Sequence, residues 1–246
     1  MNSAPSINPF YAARFTSRAV TAPQPGYAKL PTAPLTASPV PELTSLYHNS
    51  DPGPYGDRRY PGNCSGNLIR DLLRFFQPTS VYDPLTGSGT CRDVCEELGI
   101  ECWSSDLHAG FDACAPAPFT ETFDLAWLHP PYWRQKRYTD DPRDLSQTAT
   151  LDAFLGRYGQ LLASAAGTLK PAGKLAVLMG DYTDYEAGFV PLVYYTKRLA
   201  FELGLQQCCT DIVRFSHGAS SSRKVYRSSF IPGLHDVLAV FEKRPS

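Results

Sequence analysis

Short apolar runs alternate along the chain with stretches in which apolar residues recur at helical spacing. The run at residues 123–128 is nearly continuous, as in a strand buried within a parallel sheet. Residues 66–76 instead place their apolar side chains on one face of a helix, which Pro78 ends. Strands alternating with helices, closed by a final hairpin, predict an α/β fold: a doubly wound, mostly parallel seven-stranded sheet with one antiparallel strand. Further strands are predicted near 81–83, 100–104, 174–179, 208–215 and 234–241, and helices near 91–98, 151–169 and 189–203.

The N-terminal quarter of the chain differs in composition from the rest. Residues 1–55 contain ten of the 22 prolines and few charged residues, which predicts an extended, partly disordered arm. Residues 56–246 then form the folded domain. Two long polar stretches, 134–150 and 216–233, are predicted to be substrate-contacting loops, with solvated surface loops as the alternative.

A turn rich in small residues follows the strand that ends at Asp83. Gly87 and Gly89 permit positive φ and the close approach of a ligand to the backbone. Asp106 follows the next strand, where a doubly wound domain binds ribose hydroxyls. The full dinucleotide fingerprint is absent because position 92 is arginine, and the phosphate-loop pattern is absent too. The pattern favours a different nucleotide-like cofactor, with a purely structural turn as the alternative.

The second motif, His129-Pro130-Pro131-Tyr132-Trp133, directly follows the buried strand 123–128. Two prolines fix the backbone and remove two N–H donors, so the carbonyls there can only accept hydrogen bonds. Rigid acceptors beside an aromatic ring suit a planar group that carries an amine. An exposed turn with a packed aromatic ring is the alternative.

Two motifs resemble those of one enzyme family. The stretch from Asp83 to Thr90 resembles the cofactor loop, and the stretch from His129 to Trp133 the catalytic motif, of S-adenosylmethionine-dependent DNA amino-methyltransferases. These enzymes make N6-methyladenine or N4-methylcytosine. The segment 62–73 also resembles the helix that closes over the methionine end of the cofactor, and the resemblance covers residues from about 60 to 243. The chain departs from the pattern at His129, where the family has Asp, Asn or Ser.

The resemblance implies a Rossmann-like methyltransferase fold and an S-adenosylmethionine cofactor. The Pro130 carbonyl and an unprotonated nitrogen of His129 would accept hydrogen bonds from the substrate amine, and Tyr132 would stack on a flipped base. If His129 is that acceptor, activity should fall in acid, near its reference pKa of about 6.5. The implied catalytic residues are His129, Pro130, Pro131 and Tyr132. The implied cofactor-binding residues are Asn63, Ser65, Asp83, Leu85, Gly87, Ser88, Gly89, Thr90, Asp106, Leu107, Asp112 and Ala113.

Substrate contacts are expected from the two polar stretches, because the sequence contains no separate target-recognition domain of ordinary size. The predicted substrate residues are Trp133, Arg134, Lys136, Arg137, Arg223, Lys224 and Arg227. The expected partner is duplex DNA with a flipped base, adenine being favoured over cytosine only because that activity is commoner in the family. A homodimer and a partner restriction enzyme are left open. The alternatives are an RNA or protein-amide methyltransferase, and a degenerate non-catalytic cofactor- or DNA-binding module.

Net charge and cysteine content bear on how the protein could bind nucleic acid and on where it is located. The net charge is −1, so any nucleic-acid contact must come from local basic patches. Seven cysteines, an odd number without paired zinc spacing, predict reduced thiols, no metal and a cytoplasmic protein. The sequence has no apolar run of membrane-spanning length and no signal-peptide pattern.

Overall fold

The computed structural model describes residues 26–27, 37–49, 51–215 and 233–244. Nearly all of the predicted loop 216–233, with Arg223, Lys224 and Arg227, therefore lies outside the described residues. The strands are β1 (Gly26–Tyr27), β2 (Leu46–Tyr47), β3 (Ser80–Asp83), β4 (Glu101–Ser104), β5 (Phe123–Leu128), β6 (Leu169–Met179), β7 (Tyr182–Asp184), β8 (Gly188–Val190), β9 (Gln206–Gln207), β10 (Ile212–Arg214) and β11 (Asp236–Glu242). The α-helices are α1 (Gly66–Phe76), α2 (Thr90–Leu98), α3 (Leu151–Gly167) and α4 (Leu192–Glu202).

The main sheet is parallel in its centre. Its neighbours run β4, β3, β5 and β6, all parallel, followed by β11, which is antiparallel to β6. Strands β9 and β10 both pair antiparallel with β11 and act as one interrupted strand, and β1 and β2 flank them. Counted in this way the sheet has about seven strands with one antiparallel strand, so the predicted fold class is confirmed.

Alternate residues of β5 face opposite layers of helices. Leu125 and Trp127 pack in the cluster that contains the apolar residues of α1 and α2. Ala126 and Leu128 pack in the cluster formed with α3 and α4. A strand covered on both faces needs apolar residues at every position, which explains the continuous hydrophobic run. The carboxyl end of β5 is thereby fixed in the middle of the sheet.

Helix α1 forms as its spacing predicts. Leu68, Ile69, Leu72 and Leu73 are at most 1% exposed, and the helix ends where Gln77 adopts the left-handed conformation at φ 51°. Ser65 occupies the N-cap position, but its side chain makes no capping hydrogen bond. Chain segment 51–55 covers this end of the helix instead, since the Gly66 N–H donates to the Pro52 carbonyl at 3.0 Å.

Part of residues 1–55 pairs with the sheet of the domain. β2 extends the sheet beside β10, and Tyr47 is only 2% exposed. The Tyr47 hydroxyl donates to Asp71 Oδ2 on α1 at 2.8 Å. These contacts join β2 to the domain, and the predicted arm with its boundary near residue 55 stays a prediction.

A small hairpin that the sequence did not indicate follows β6. β7 and β8 pair antiparallel, and Tyr182 contributes its ring to the contact with Trp133. The predicted helix 189–203 consequently begins later, at Leu192. None of the helices in the described part of the chain is both long enough and apolar enough to cross a bilayer.

Candidate functional site

The loop between β3 and α2 is closed by its own hydrogen bonds. The Thr86 N–H donates to the Ser105 carbonyl at 3.1 Å, and the Gly87 N–H donates to Asp106 Oδ2 at 3.0 Å. Gly87 and Gly89 have φ values of 49° and 83°, which side chains rarely adopt, so glycine is needed at both positions. The loop is therefore a rigid turn whose backbone can lie against a ligand.

Asp106 ties this loop to the end of β4. Its Oδ1 accepts from the His108 N–H at 2.9 Å while its Oδ2 accepts from Gly87. Oδ1 also accepts from the Ala109 N–H at 3.4 Å, so Oδ2 is the oxygen that keeps capacity for a ligand hydroxyl. Asp106 also lines the adjoining cavity, in the position that sequence analysis predicted for a ribose contact.

A cavity with about 720 Å³ of empty space, part of it open to solvent, joins the two sequence motifs. One end is formed by the β3–α2 loop, and the other by His129 and Pro131. The remaining lining residues are Tyr60, Gly62, Cys64, Asp83, Leu85, Thr86, Gly87, Ser88, Thr90, Cys91, Asp106, Leu107, His108, Trp127, Tyr138, Thr139 and Asp144.

The floor of the cavity contains a buried acid. Asp83 is 1% exposed, and burial raises its pKa to about 8. Its carboxyl accepts from the Leu85 N–H at 3.4 Å and from the Ser104 hydroxyl at 3.3 Å. A group that is costly to ionise when the cavity is empty would ionise more readily beside a bound cation.

Two tyrosines form the roof. Tyr60 and Tyr138 are stacked, with ring centroids 6.1 Å apart and an interplanar angle of 27°. Tyr138 belongs to the predicted loop 134–150, which is ordered by Asp144, a residue only 3% exposed. The Thr139 and Ser146 N–H groups each donate to the Asp144 carboxylate at 2.8 Å. The sequence indicated the loop but not the role of Asp144, which resembles any loop aspartate in sequence.

His129 lies at the end of β5, where the cavity meets the second motif. Burial first, and the charge of Arg214 second, lower the pKa of its imidazole to about 4. The side chain is therefore neutral at neutral pH and has one unprotonated nitrogen. The expected loss of activity near the reference pKa has to be corrected to a lower pH.

The two aromatic residues of the motif turn inward. A Cβ at Gly180 would come within 2.7 Å of the Tyr132 ring, so the ring packs directly on that backbone. Tyr132 is half-buried and is not among the cavity-lining residues, and its predicted role of stacking on a base stays a prediction. Trp133, predicted to contact substrate, is 2% exposed and donates from Nε1 to the Thr148 carbonyl at 3.0 Å. It is a core residue in this structure, because β7 and loop 134–150 close over it.

An ion pair that sequence analysis missed lies behind the motif. Arg214 on β10 and Asp236 on β11 are 6% and 4% exposed, and Arg214 Nε donates to Asp236 Oδ1 at 2.8 Å. The second guanidinium nitrogen bonds Asp236 Oδ2. The Tyr132 hydroxyl donates to the same Oδ2 at 3.4 Å, and His129 Nε2 is 3.3 Å from the Tyr132 oxygen. A pair separated by 22 residues leaves no local pattern in the sequence.

Several implied cofactor residues lie outside the cavity lining. Asp112 accepts from Arg157 at 3.2 Å and faces a neighbouring groove, and Ala113 is buried in the core. Asn63 reaches the site only indirectly, since its Oδ1 accepts from the Thr90 hydroxyl at 2.8 Å. Ser65 Oγ is buried without a hydrogen-bond partner among the described residues. Gly89 shapes the loop without lining the cavity, and buried Pro130 does not line it either.

The basic residues after the motif are largely paired. Arg134 donates to both oxygens of Asp184, at 2.9 and 2.7 Å, and to Glu186 at 2.6 Å. Arg137 pairs with Asp140 at 2.7 Å, while Lys136 is exposed. Arg134 therefore holds the β7–β8 hairpin against the motif, and its charge is neutralised there.

Three cysteines meet beneath the cavity. The Sγ atoms of Cys91, Cys95 and Cys102 lie within 4.8 Å of one another, although they come from α2 and β4 and show no zinc spacing in sequence. No fourth His, Cys, Asp or Glu joins them within the described ranges, whereas structural zinc sites take four ligands. Packing in the apolar cluster explains them. The prediction that no metal is bound stays a prediction.

Comparison with known proteins yields fold likenesses only. No family model matches the sequence, and no curated protein matches it. A candidate DNA modification methylase from Thermus thermophilus, solved with S-adenosyl-L-methionine, is 17% identical with a TM-score of 0.39, and the match covers 68% of this chain and 56% of that one. A SAM-dependent methyltransferase from Archaeoglobus fulgidus is 15% identical with a TM-score of 0.44, covering 73% of this chain and 95% of that one.

A third structure is a Burkholderia thailandensis 1,6-didemethyltoxoflavin-N1-methyltransferase with S-adenosylhomocysteine, 15% identical with a TM-score of 0.45, covering 73% of this chain and 78% of that one. The chain spans about half the length of the Thermus protein that it matches. The similar structures are thus methyltransferases with different substrates. At such identities and TM-scores they carry no information about the reaction or the substrate of this chain.

Proposed function

We propose that this protein transfers a methyl group from S-adenosylmethionine to an exocyclic amine of a DNA base, with adenine N6 favoured over cytosine N4. The observation that carries the proposal is one cavity lined at one end by the β3–α2 loop and Asp106 and at the other by His129 and Pro131. A bound cofactor and His129, one of the two proposed amine acceptors, would therefore meet in one cavity.

The cavity residues fit the cofactor by their chemistry. Asp106 retains acceptor capacity on Oδ2, which suits a hydroxyl of a ribose. Asp83 on the floor provides an acidic group for the cationic end of the cofactor. Tyr60 and Tyr138 line another side of the cavity with their stacked rings. When bound, S-adenosylmethionine would supply an electrophilic methyl group on a positively charged sulfur.

The motif at the end of β5 would orient the amine. Such a nitrogen is a weak nucleophile because its lone pair is delocalised into the ring. The Pro130 carbonyl and neutral His129 would accept hydrogen bonds from its two N–H groups and direct the lone pair at the methyl group, so that catalysis is mainly positioning. His129 can accept at neutral pH because its pKa is lowered to about 4.

The choice of DNA rests on the resemblance of the two motifs. The described basic residues near the cavity do not distinguish DNA from other substrates, because Arg134 and Arg137 are paired with carboxylates. An RNA or protein-amide methyltransferase is thus the second candidate, and it would use the same cavity. A cytoplasmic location, a homodimer and a partner restriction enzyme stay predictions.

The deciding experiment incubates the protein with radiolabelled S-adenosylmethionine and unmethylated duplex DNA, followed by nucleoside digestion and mass analysis. N6-methyladenine or N4-methylcytosine is the expected product, and most of it should be lost in Pro130→Ala, which keeps the carbonyl but frees the backbone that fixes it. Methyl transfer to RNA or protein but not DNA would replace the substrate assignment. Failure to bind S-adenosylmethionine in calorimetry would refute the proposal that it is the cofactor and would favour a non-catalytic module.

A further inference from the structure

The ion pair between Arg214 and Asp236 lies on the far side of Tyr132 from His129. Both partners are at least 94% buried, and β10 and β11 hold them in register opposite each other. Buried ion pairs contribute little net stability relative to apolar residues of similar size. They do impose a fixed direction on the hydrogen bonds around them, because arginine only donates and a carboxylate paired with it only accepts.

That direction can be followed from Asp236 to His129. Asp236 Oδ2 accepts from the Tyr132 hydroxyl at 3.4 Å, so the hydroxyl proton is directed towards Asp236. The Tyr132 oxygen is then free to accept, and His129 Nε2 lies 3.3 Å from it. For this contact to be a hydrogen bond, Nε2 must carry the proton of the neutral imidazole. Nδ1 is consequently the nitrogen with the lone pair.

We propose that Arg214, Asp236 and Tyr132 are positioning residues that keep the proton of neutral His129 on Nε2 and leave Nδ1 as the acceptor for the substrate amine. The catalytic part of this inference rests on the proposed function, whereas the tautomer does not. His129 would thus take the place of the family's Asp, Asn or Ser only with the help of two strands at the other end of the chain.

The packing around the motif supports a fixed orientation. The Tyr132 ring lies against the Gly180 backbone, so the ring cannot move towards Gly180, and it meets the His129 ring edge to face at 5.8 Å and 67°. Both hydrogen-bond contacts are long, as catalytic contacts often are before the substrate is bound. Arg214 and Asp236 are the charged groups that act on His129, and the Arg214 charge disfavours a second proton on the ring.

Nitrogen-15 NMR of the histidine side chains tests the tautomer without any assay of activity. The protein has five histidines, and the His129 signals are identified by their loss in His129→Gln. At neutral pH the wild type should show a protonated Nε2, an unprotonated Nδ1 and a slowly exchanging Nε2 proton. Tyr132→Phe, which removes only the hydroxyl, should make that proton exchange about tenfold faster.

Tyr182→Phe is the matched control. It removes another tyrosine hydroxyl that donates to a buried aspartate, Asp184, at 3.0 Å, and it should leave the His129 signals unchanged. Asp236→Asn is a second test, but it leaves Arg214 buried without its anion and can unfold the protein. A proton on Nδ1 in the wild type, or unchanged exchange in Tyr132→Phe, would overturn the inference.

Kinetics then separates this inference from the proposed function. With a methylated substrate in hand, Tyr132→Phe should lower the single-turnover rate about tenfold with unchanged cofactor affinity, and Tyr182→Phe should not. The expected spectrum without methyl transfer to any amine would refute the proposed function and support the positioning of His129. Methyl transfer by a protein whose His129 carries its proton on Nδ1 would support the proposed function and overturn the inference about His129.

Discussion

Tyr60 and Tyr138 lie face to face over the cavity, with their ring centroids 6.1 Å apart. One precedes α1 and the other belongs to the loop after the His129 motif, so the stack joins two segments that are distant in the sequence. The Tyr60 ring also lies close to the cofactor loop, since a Cβ at Gly87 would come within 2.9 Å of it. The roof is therefore packed directly on the turn that would hold the cofactor.

Removing one half of this stack should weaken cofactor binding. We expect Tyr138→Ala to raise the Kd for S-adenosylmethionine about tenfold in calorimetry, because an aromatic pair contributes about 0.5–1.5 kcal/mol beyond its buried area. Tyr194→Ala is the control, since that ring is 58% exposed and does not line the cavity. Equal affinities for the two variants would show that the stack is not part of the binding site.

Two of the three acidic residues predicted to contact the cofactor, Asp106 and Asp112, should behave differently. Asp106 lines the cavity and bonds the Gly87 N–H, whereas Asp112 pairs with Arg157 outside it. We expect Asp106→Asn to raise the cofactor Kd at least tenfold, consistent with the roughly 1.5–3 kcal/mol of a hydrogen bond to a charged group. Asp112→Asn should bind as the wild type does. The opposite ranking would restore Asp112 as the cofactor contact.

The acid limit of activity should lie well below the ordinary histidine pKa. Burial and the charge of Arg214 lower the pKa of His129 to about 4. Protonation removes the acceptor nitrogen, so the single-turnover rate should be constant from about pH 5 to 8 and fall near pH 4. The fall attributable to His129 should be missing in His129→Asn, whose amide oxygen accepts at any pH. A histidine-dependent fall near pH 6.5 would contradict the effect of burial.

Because of Asp83, the stability of the folded protein should fall as the pH rises. Burial raises its pKa to about 8 from 3.8, so the folded state holds a proton that the unfolded state has lost. Its contribution to stability is complete below pH 3.8 and is lost as the pH rises through about 8. Urea unfolding should show Asp83→Asn, which has no titrating carboxyl at this position, gaining stability relative to the wild type as the pH rises from about 4 to 8.

Asp140→Asn is the control for that measurement, because Asp140 is a surface carboxyl whose side chain is 95% exposed. It should show no such gain with pH. A constant difference between the wild type and Asp83→Asn across the range would mean that Asp83 is ionised in the folded protein.

The amino-acid sequence alone was sufficient to predict the fold and the two segments that form the ends of the cavity. Residues 125–128 are apolar at each position because both faces of β5 are covered, and that requirement is visible without a structure. The glycines at 87 and 89 likewise follow from local backbone conformation. Since carboxyl ends of parallel strands meet at one edge of a sheet, the order of the motifs already brought Asp106 and His129 to the same side.

Only the tertiary structure decided which side chains of the motifs face the cavity. Tyr132 and Trp133 look alike as ligand contacts in sequence. In the structure the Tyr132 ring packs on the Gly180 backbone, and Trp133 Nε1 donates to the Thr148 carbonyl. Arg134 is paired by a hairpin 50 residues away, and the environment of His129 depends on Arg214. Such partners lie far along the chain, and nothing in the local hydrophobic pattern specifies them. Their effect on orientation and pKa appears only when the sheet brings the strands together.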